Sequence, residues 1–217
     1  MVKTIIKKLL REGLLDETML NSSNLPKETA LFSKNNGIYM SLYDPINKNT
    51  YGMISASLRG DFYDMNSVAS EKGFGPYMYE FAMMKAYSNG KGLVPSRNGD
   101  IRSGALNIWL RFYDRKDVKK ISIAPFDKNG DWNKNYSVAI YTGDEDEFES
   151  PEEFNEFMAE LKPEMQEIIK KYNTIYSMEP NDDYKNMLAR GDDYVKKGMN
   201  PSRAFIGANN LFMSKYD

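Results

Sequence analysis

The stretch Glu71-Lys72-Gly73-Phe74-Gly75-Pro76 is the most informative part of the sequence about the fold, because it joins a β-prone run to a helical one. Residues 61–69 before it predict a strand, and residues 77–87 after it predict a helix. The two glycines let a ligand approach the backbone closely, and the proline suits the first turn of a helix, where its missing N–H costs nothing. The stretch therefore predicts a strand–turn–helix unit whose free amides can hold a phosphate or pyrophosphate group.

Further β-prone and helical runs lie on both sides of this unit. The predicted strands are 37–43, 51–58, 92–95, 117–124 and 136–141, and a second helix is predicted at 103–113. In that helix we expect Leu106, Trp109, Leu110 and Tyr113 to face the core. Strands and helices in this order predict a mixed α/β fold.

From residue 143 onward the sequence no longer alternates between strand and helix patterns: an acidic stretch, 144–147, is followed by three helical runs. These runs cover residues 151–161, 163–172 and 184–197. We therefore expect an α/β domain at 1–142 and a helical extension at 143–217 packed on the same domain. The acidic stretch lacks the glycine and the ligand spacing of a calcium loop, so we interpret it as a solvated surface and assign no metal.

The first residues predict a short amphipathic helix, because Ile5, Ile6, Leu9 and Leu10 recur at helical spacing with lysines between them. Packing on the domain is favoured over binding to a membrane surface, since basic amphipathic helices are common in soluble proteins. The run is too short and too interrupted to span a bilayer, and it has no signal-peptide cleavage pattern. We expect no membrane or export segment.

The composition excludes several kinds of chemistry. The 217 residues include no cysteine and no histidine, which excludes disulfides, thiolate sites and an imidazole base. Any catalysis has to use Tyr, Asp, Glu, Lys, Ser or backbone amides. The formal net charge is −2, so the chain as a whole lacks the basic character of a nucleic-acid binder. We expect a cytoplasmic protein.

The order of elements resembles the GNAT superfamily of acyltransferases. The matching stretches are Ser70-Glu71-Lys72-Gly73-Phe74-Gly75, Gly92-Leu93-Val94-Pro95, and residues 105–113. In that family a central strand enters a Q/R-x-x-G-x-G/A loop that binds the pyrophosphate of acyl-CoA. The resemblance covers residues 37–142 and implies a mostly antiparallel GNAT-like sheet flanked by helices. The chain also resembles GNAT-like proteins encoded by bacteriophages, which implies a viral protein in a host bacterial cytoplasm.

The resemblance implies roles for individual residues. Acyl-CoA, as cosubstrate, would be bound by Lys72, Gly73, Phe74, Gly75 and Asn107. Tyr113 would protonate the departing CoA thiolate. The attacking amine also has to lose a proton, and Glu71 and Asp64 lie near the expected cleft, so Glu71 is the candidate base. The chain departs from the family at Ser70, where Gln or Arg is usual, and at Pro76, which removes an amide.

Three functions stay open at this point. The first is an acyl-CoA-dependent N-acyltransferase that acts on an unidentified amine by direct attack. The second is a GNAT-like module without catalysis that binds a host or viral protein or associates with virions. The third, nucleic-acid binding, is disfavoured because Trp109 and Tyr113 share a helix face that is expected to point to the core.

Each candidate residue also has a structural interpretation. Tyr113 is one of 15 tyrosines, and a two-glycine turn before a helix often only connects two elements. Lys72 and Arg97 could contact phosphates, and a solvated loop cation is the commoner role of such residues.

Overall fold

The computed structural model describes residues 25–34, 37–97, 103–142 and 147–213, which form seven strands and seven helices. The strands are β1 (Ala30–Ser33), β2 (Ile38–Asp44), β3 (Asn49–Arg59), β4 (Phe62–Ser70), β5 (Gly92–Val94), β6 (Lys119–Ser122) and β7 (Thr174–Ser177). The helices are α1 (Gly75–Ser88), α2 (Ser103–Asp114), α3 (Ala139–Thr142), α4 (Pro151–Glu160), α5 (Pro163–Tyr172), α6 (Asp182–Lys196) and α7 (Ser202–Met213).

The strands follow the order β1-β2-β3-β4-β5-β7-β6 in the sheet. The pairings β1–β2, β2–β3 and β3–β4 are antiparallel. The expected mixed α/β fold, with a mostly antiparallel sheet and flanking helices, is therefore confirmed. The amphipathic helix expected at the N-terminus and most of the acidic stretch lie outside the described residues.

The described residues divide into two compact units. The meander unit comprises residues 25–34, 37–93 and 177–213, and the central unit comprises residues 94–97, 103–142 and 147–176. This division does not fall at the expected boundary between residues 142 and 143. The segment after residue 143 also contributes the strand β7 in addition to helices.

In the meander unit, four successive strands pair with their neighbours, and helices pack on them. The side chains of Ala30, Phe32, Tyr43, Ala204 and Phe205 form one buried cluster between the strands and α7. Ser41 Oγ donates a hydrogen bond to the Ala204 carbonyl at 2.9 Å, which ties α7 to β2. Helix α6 covers β1 so closely that a Cβ on Gly191 would lie 2.4 Å from the carbonyl oxygen of Leu31. A glycine is required at this approach.

The central unit is built on aromatic side chains. Trp109 of α2 is only 2% exposed, and its ring lies 5.0 Å from that of Tyr176 in β7. Leu106 and Phe112 are buried with it, whereas Leu110 and Tyr113 are half-buried. The buried face of α2 is therefore centred on Trp109, as expected, and it includes Phe112 where the sequence pattern had favoured Tyr113.

The strand predicted at residues 136–141 is wrong. The segment contains a buried irregular stretch followed by α3, although apolar side chains alternate along it. The amide side chain of Asn173 explains this difference, because its Oδ1 accepts from Ser137 N at 2.9 Å and its Nδ2 donates to Ser137 O at 2.8 Å. These bonds satisfy both backbone groups of the buried Ser137 without a neighbouring strand.

Candidate functional site

The glycine loop leaves β4 in a tight turn. Phe74 N donates to the Glu71 carbonyl at 3.1 Å, and Gly73 has φ +93°, a conformation that favours glycine. Phe74 is the first residue before α1 and has no side-chain cap bond. The turn therefore brings the backbone of residues 73–75 directly to the start of the helix.

Several amides of this turn are free to bind a ligand. In the part of the chain that the structure describes, the N–H groups of Lys72, Gly73, Gly75 and Tyr77 have no hydrogen-bond partner. The first turn of α1 contains no acidic residue, and the Lys72 side chain is exposed beside it. Free donors at the positive end of a 14-residue helix suit an anion.

A bulge in the neighbouring strand positions the loop. The register of β2 and β3 shifts between Leu42 and Tyr43, which leaves Tyr51 opposite no residue of β2. The Tyr51 carbonyl accepts from Glu71 N at 2.9 Å, and its ring centre lies 5.1 Å from that of Phe74. The bulge thus lets Tyr51 contact both ends of the turn, Glu71 through its carbonyl group and Phe74 through its ring.

The loop lies at the carboxyl end of a parallel strand pair. Lys91 Nζ donates to the Gly60 carbonyl at 3.2 Å, and Asn89 Nδ2 donates to Tyr63 Oη at 2.8 Å. Helix α1 therefore returns the chain to the start of β4, so that β5 runs in the same direction as β4. Ligands of α/β proteins bind beyond the carboxyl ends of such strands.

Glu71, the candidate base, is half-buried, and its Oε1 accepts from Asn49 Nδ2 at 3.4 Å. Asp64 lies at the other end of β4, roughly 20 Å away along the strand, where it forms an ion pair with Arg59. The structure therefore separates the two carboxylates that the sequence placed near one cleft.

Tyr113, the candidate acid, lies in the last turn of α2 in the central unit. Its ring centre is 5.0 Å from Lys171 Nζ and 5.6 Å from Lys120 Nζ. Lys171 also pairs with Asp114 at 3.1 Å, and Lys120 Nζ donates to the Tyr113 carbonyl at 2.8 Å. Two ammonium groups therefore flank a half-buried phenol, and they favour negative charge developing nearby.

Asn107 is half-buried on the same helix as Tyr113. Six residues of α-helix separate the two positions by about 120° around the axis, so they do not share a face. The structure brings Glu71, Lys72, Gly73, Phe74 and Gly75 together in one turn of the meander unit, and it places Asn107 and Tyr113 on one helix of the central unit.

Arg97 is not a solvated loop cation, and that expectation is wrong. It is 2% exposed, and its Nη1 donates to the Tyr172 carbonyl and to Asn173 Oδ1, both at 3.1 Å. Its guanidinium lies 4.9 Å from the centre of the Tyr172 ring. Arg97 therefore anchors the end of α5 to the segment before α2.

The sequence reasoning missed that Lys120 and Lys171 lie beside Tyr113. Lys171 belongs to a segment assigned to the helical extension, 58 positions after Tyr113, and nothing in the local pattern relates the two. Lys120 could have been found, because a lysine shortly after a helix can bond to its last carbonyl groups.

Comparisons with models of protein families, with curated proteins and with solved structures found no match to this chain. The GNAT resemblance therefore stays a prediction. Among the described residues, no helix has the length and apolar character needed to cross a membrane.

Proposed function

We propose that this protein transfers an acyl group from acyl-CoA, most simply acetyl-CoA, to an amine. The observation that carries the proposal is the unit β4–turn–α1–β5, in which the free amides of Gly73, Gly75 and Tyr77 lie at the start of a helix. Such a unit suits the pyrophosphate of a CoA ester. The order of elements after it, with Tyr113 on the next helix, also agrees with the resemblance.

In this proposal the amine nitrogen attacks the thioester carbonyl directly, and the C–S bond breaks as the new C–N bond forms. Tyr113 gives its proton to the departing thiolate, and Glu71 takes the proton of the amine, through water where the distance requires it. Lys72 and the turn amides hold the phosphates, and Asn107 contacts the cofactor. Direct attack fits a chain that has neither a cysteine nor a histidine to form a covalent intermediate.

Calorimetric titration with acetyl-CoA and CoA tests the binding step. Gly75→Asp places a carboxylate where the pyrophosphate would lie, so we expect at least about tenfold weaker binding. An acidic residue in the first turn of a helix stabilises that helix, so unfolding does not explain such a loss. Gly75→Ala is the matched control and should bind far better than Gly75→Asp. If the unmodified protein binds neither compound, the proposal is wrong.

The chemical step is tested with a panel of amines and detection of free CoA thiol. Tyr113→Phe should lower kcat by about 100-fold or more while the Kd for acetyl-CoA stays unchanged, because only a proton donor is removed. An active protein whose kcat is the same with phenylalanine would exclude Tyr113 as the acid.

The second candidate is a GNAT-like module without catalysis that binds a host or viral protein. Two residues favour it: Pro76 has no N–H to offer at the helix start, and Ser70 stands where the resemblance expects Gln or Arg. This alternative predicts that the unmodified protein binds no CoA compound. It also predicts that Gly75→Asp leaves binding of a host or viral protein unchanged.

A further inference from the structure

Two aromatic rings lie beside the free amides of the glycine turn. The ring centres of Tyr51 and Phe74 are 5.1 Å apart at a tilt of 49°, and both side chains are half-buried, so each keeps part of its surface open to solvent. A nucleotide site needs both kinds of group, because a base stacks on an aromatic ring while backbone amides hold the phosphates.

The positions of both rings are unusual for the local structure. Phe74 is the N-cap of α1 and makes no side-chain cap bond, although Ser, Thr, Asp or Asn would satisfy a helix amide there. Tyr51 is the extra residue of the β3 bulge, and bulges commonly redirect a side chain next to a binding site. A residue that breaks a local preference is expected at a functional site, and the bulge brings a second aromatic ring to it.

A buried donor in the first turn of α1 also lacks an acceptor. The Tyr77 side chain is only 9% exposed, and its Oη has no hydrogen-bond partner within the described part of the chain. Burial, together with the carboxylates of Glu80 and Asp183, raises the pKa of Tyr77 to about 12, so the phenol keeps its proton at neutral pH. Helical side chains lean toward the N-terminus of their helix, which directs Tyr77 toward the start of α1. A ligand oxygen bound there would satisfy this donor.

We propose that the glycine turn binds a nucleoside diphosphate whose base stacks on the rings of Phe74 and Tyr51. The amides of Gly73 and Gly75 hold the diphosphate, and Tyr77 Oη donates to a ligand oxygen. This inference rests on the proposed function, in which the nucleotide is the adenosine part of CoA. The base, and not only the pyrophosphate, then contributes to the affinity.

Calorimetry tests the stacking by comparing ADP with ribose 5-diphosphate, which has the same diphosphate and no base. ADP should bind about five- to 100-fold more tightly, the contribution of one stacked base. Phe74→Leu keeps an apolar side chain but removes the ring, so this ratio should fall at least about threefold while the Kd of ribose 5-diphosphate stays unchanged. Phe74→Tyr keeps a ring and should keep the ratio. The control is Phe126→Leu, at a half-buried ring of the central unit, and it should also keep the ratio.

Tyr77→Phe gives a second readout that a purely structural role cannot produce. Removing a buried hydroxyl that has no partner should leave the free protein at least as stable in urea, whereas ADP binding should weaken by about threefold or more. A hydroxyl that bonded within the protein would instead lower the stability when removed. A less stable variant, or one that binds ADP as the unmodified protein does, would exclude Tyr77 from the site.

The outcomes separate this proposal from the proposed function. Equal affinities for ADP and ribose 5-diphosphate, or a ratio that Phe74→Leu leaves unchanged, would overturn the stacking, and the same protein could still bind CoA and keep the proposed function. Preferential binding of ADP by a protein that binds no acetyl-CoA would support the nucleotide site and exclude the acyltransferase. Binding of none of these compounds at about 1 mM would overturn both.

Discussion

Replacing Gly191 with alanine should destabilise the meander unit. The new Cβ would lie 2.4 Å from the Leu31 carbonyl oxygen and 3.2 Å from its carbon. Both atoms belong to the backbone, so α6 or β1 has to move by about 1 Å, which forfeits a quarter to a half of the local packing attraction. Overpacking of this kind costs about 3 kcal/mol at the upper end, and alanine returns about 1 kcal/mol of helix propensity. We expect a net loss of about 2 kcal/mol.

Urea denaturation followed by far-UV circular dichroism measures this loss. Both tryptophans, Trp109 and Trp132, lie in the central unit, so their fluorescence reports that unit separately. The control is Gly104→Ala in α2, where a Cβ meets no atom within 4 Å, and it should be neutral or stabilising by up to about 1 kcal/mol. If Gly191→Ala is as stable as the unmodified protein, α6 does not approach β1 in the way described.

Three further predictions concern buried polar groups. Gly207→Ala should destabilise, because its Cβ would lie 2.3 Å from Thr50 Oγ1, and Thr50→Ala should recover part of the loss measured by urea denaturation. Asn173→Ala should cost about 3 kcal/mol or more, read by tryptophan fluorescence, since it strips buried partners from Ser137 and Arg97. Burial acts to raise the pKa of Asp44, but hydrogen bonds from Asn47 and Ile46 outweigh it and lower the pKa below its ordinary value. The ionised carboxylate therefore stabilises the fold above pH about 4, and this stabilisation is lost as the pH falls through the folded-state pKa. Asp44→Ala should cost about 1–2 kcal/mol at neutral pH and less in acid, and an equal cost at both pH values would contradict this.

The elements that the sequence predicted well are those with long, regular patterns. The observed α1, α2, α4, α5 and α6 lie within about two residues of the predicted ranges, a typical uncertainty for helix ends. The missed strands β1 and β7 have only four residues each, too few for a periodic pattern to stand out. Helix α7 was also missed, although Ala204 and Phe205 pack against the sheet.

The strand wrongly predicted at residues 136–141 shows a limit of pattern reasoning. Alternating apolar side chains indicate burial on one side, and they do not specify what bonds to the backbone. Here the bonds come from Asn173, which follows α5 and is far away in the sequence. At Ser137 a single amide side chain takes the place of a strand partner, and no local signal predicts this replacement.

The two parts of the proposed catalytic machinery also differ in whether adjacent or distant residues determine them. The turn that would hold the pyrophosphate depends mainly on adjacent residues, because glycine conformation, the helix start and the absence of a first-turn acid are local properties, and only its contacts with Tyr51 of β3 come from elsewhere in the sequence. Its geometry was therefore predictable from one short stretch. The surroundings of Tyr113 depend on Lys120 and Lys171, which come from β6 and α5. Binding by the turn and acid catalysis by Tyr113 are consequently separate hypotheses, and a protein that binds CoA while Tyr113→Phe has no effect would keep the first and exclude the second.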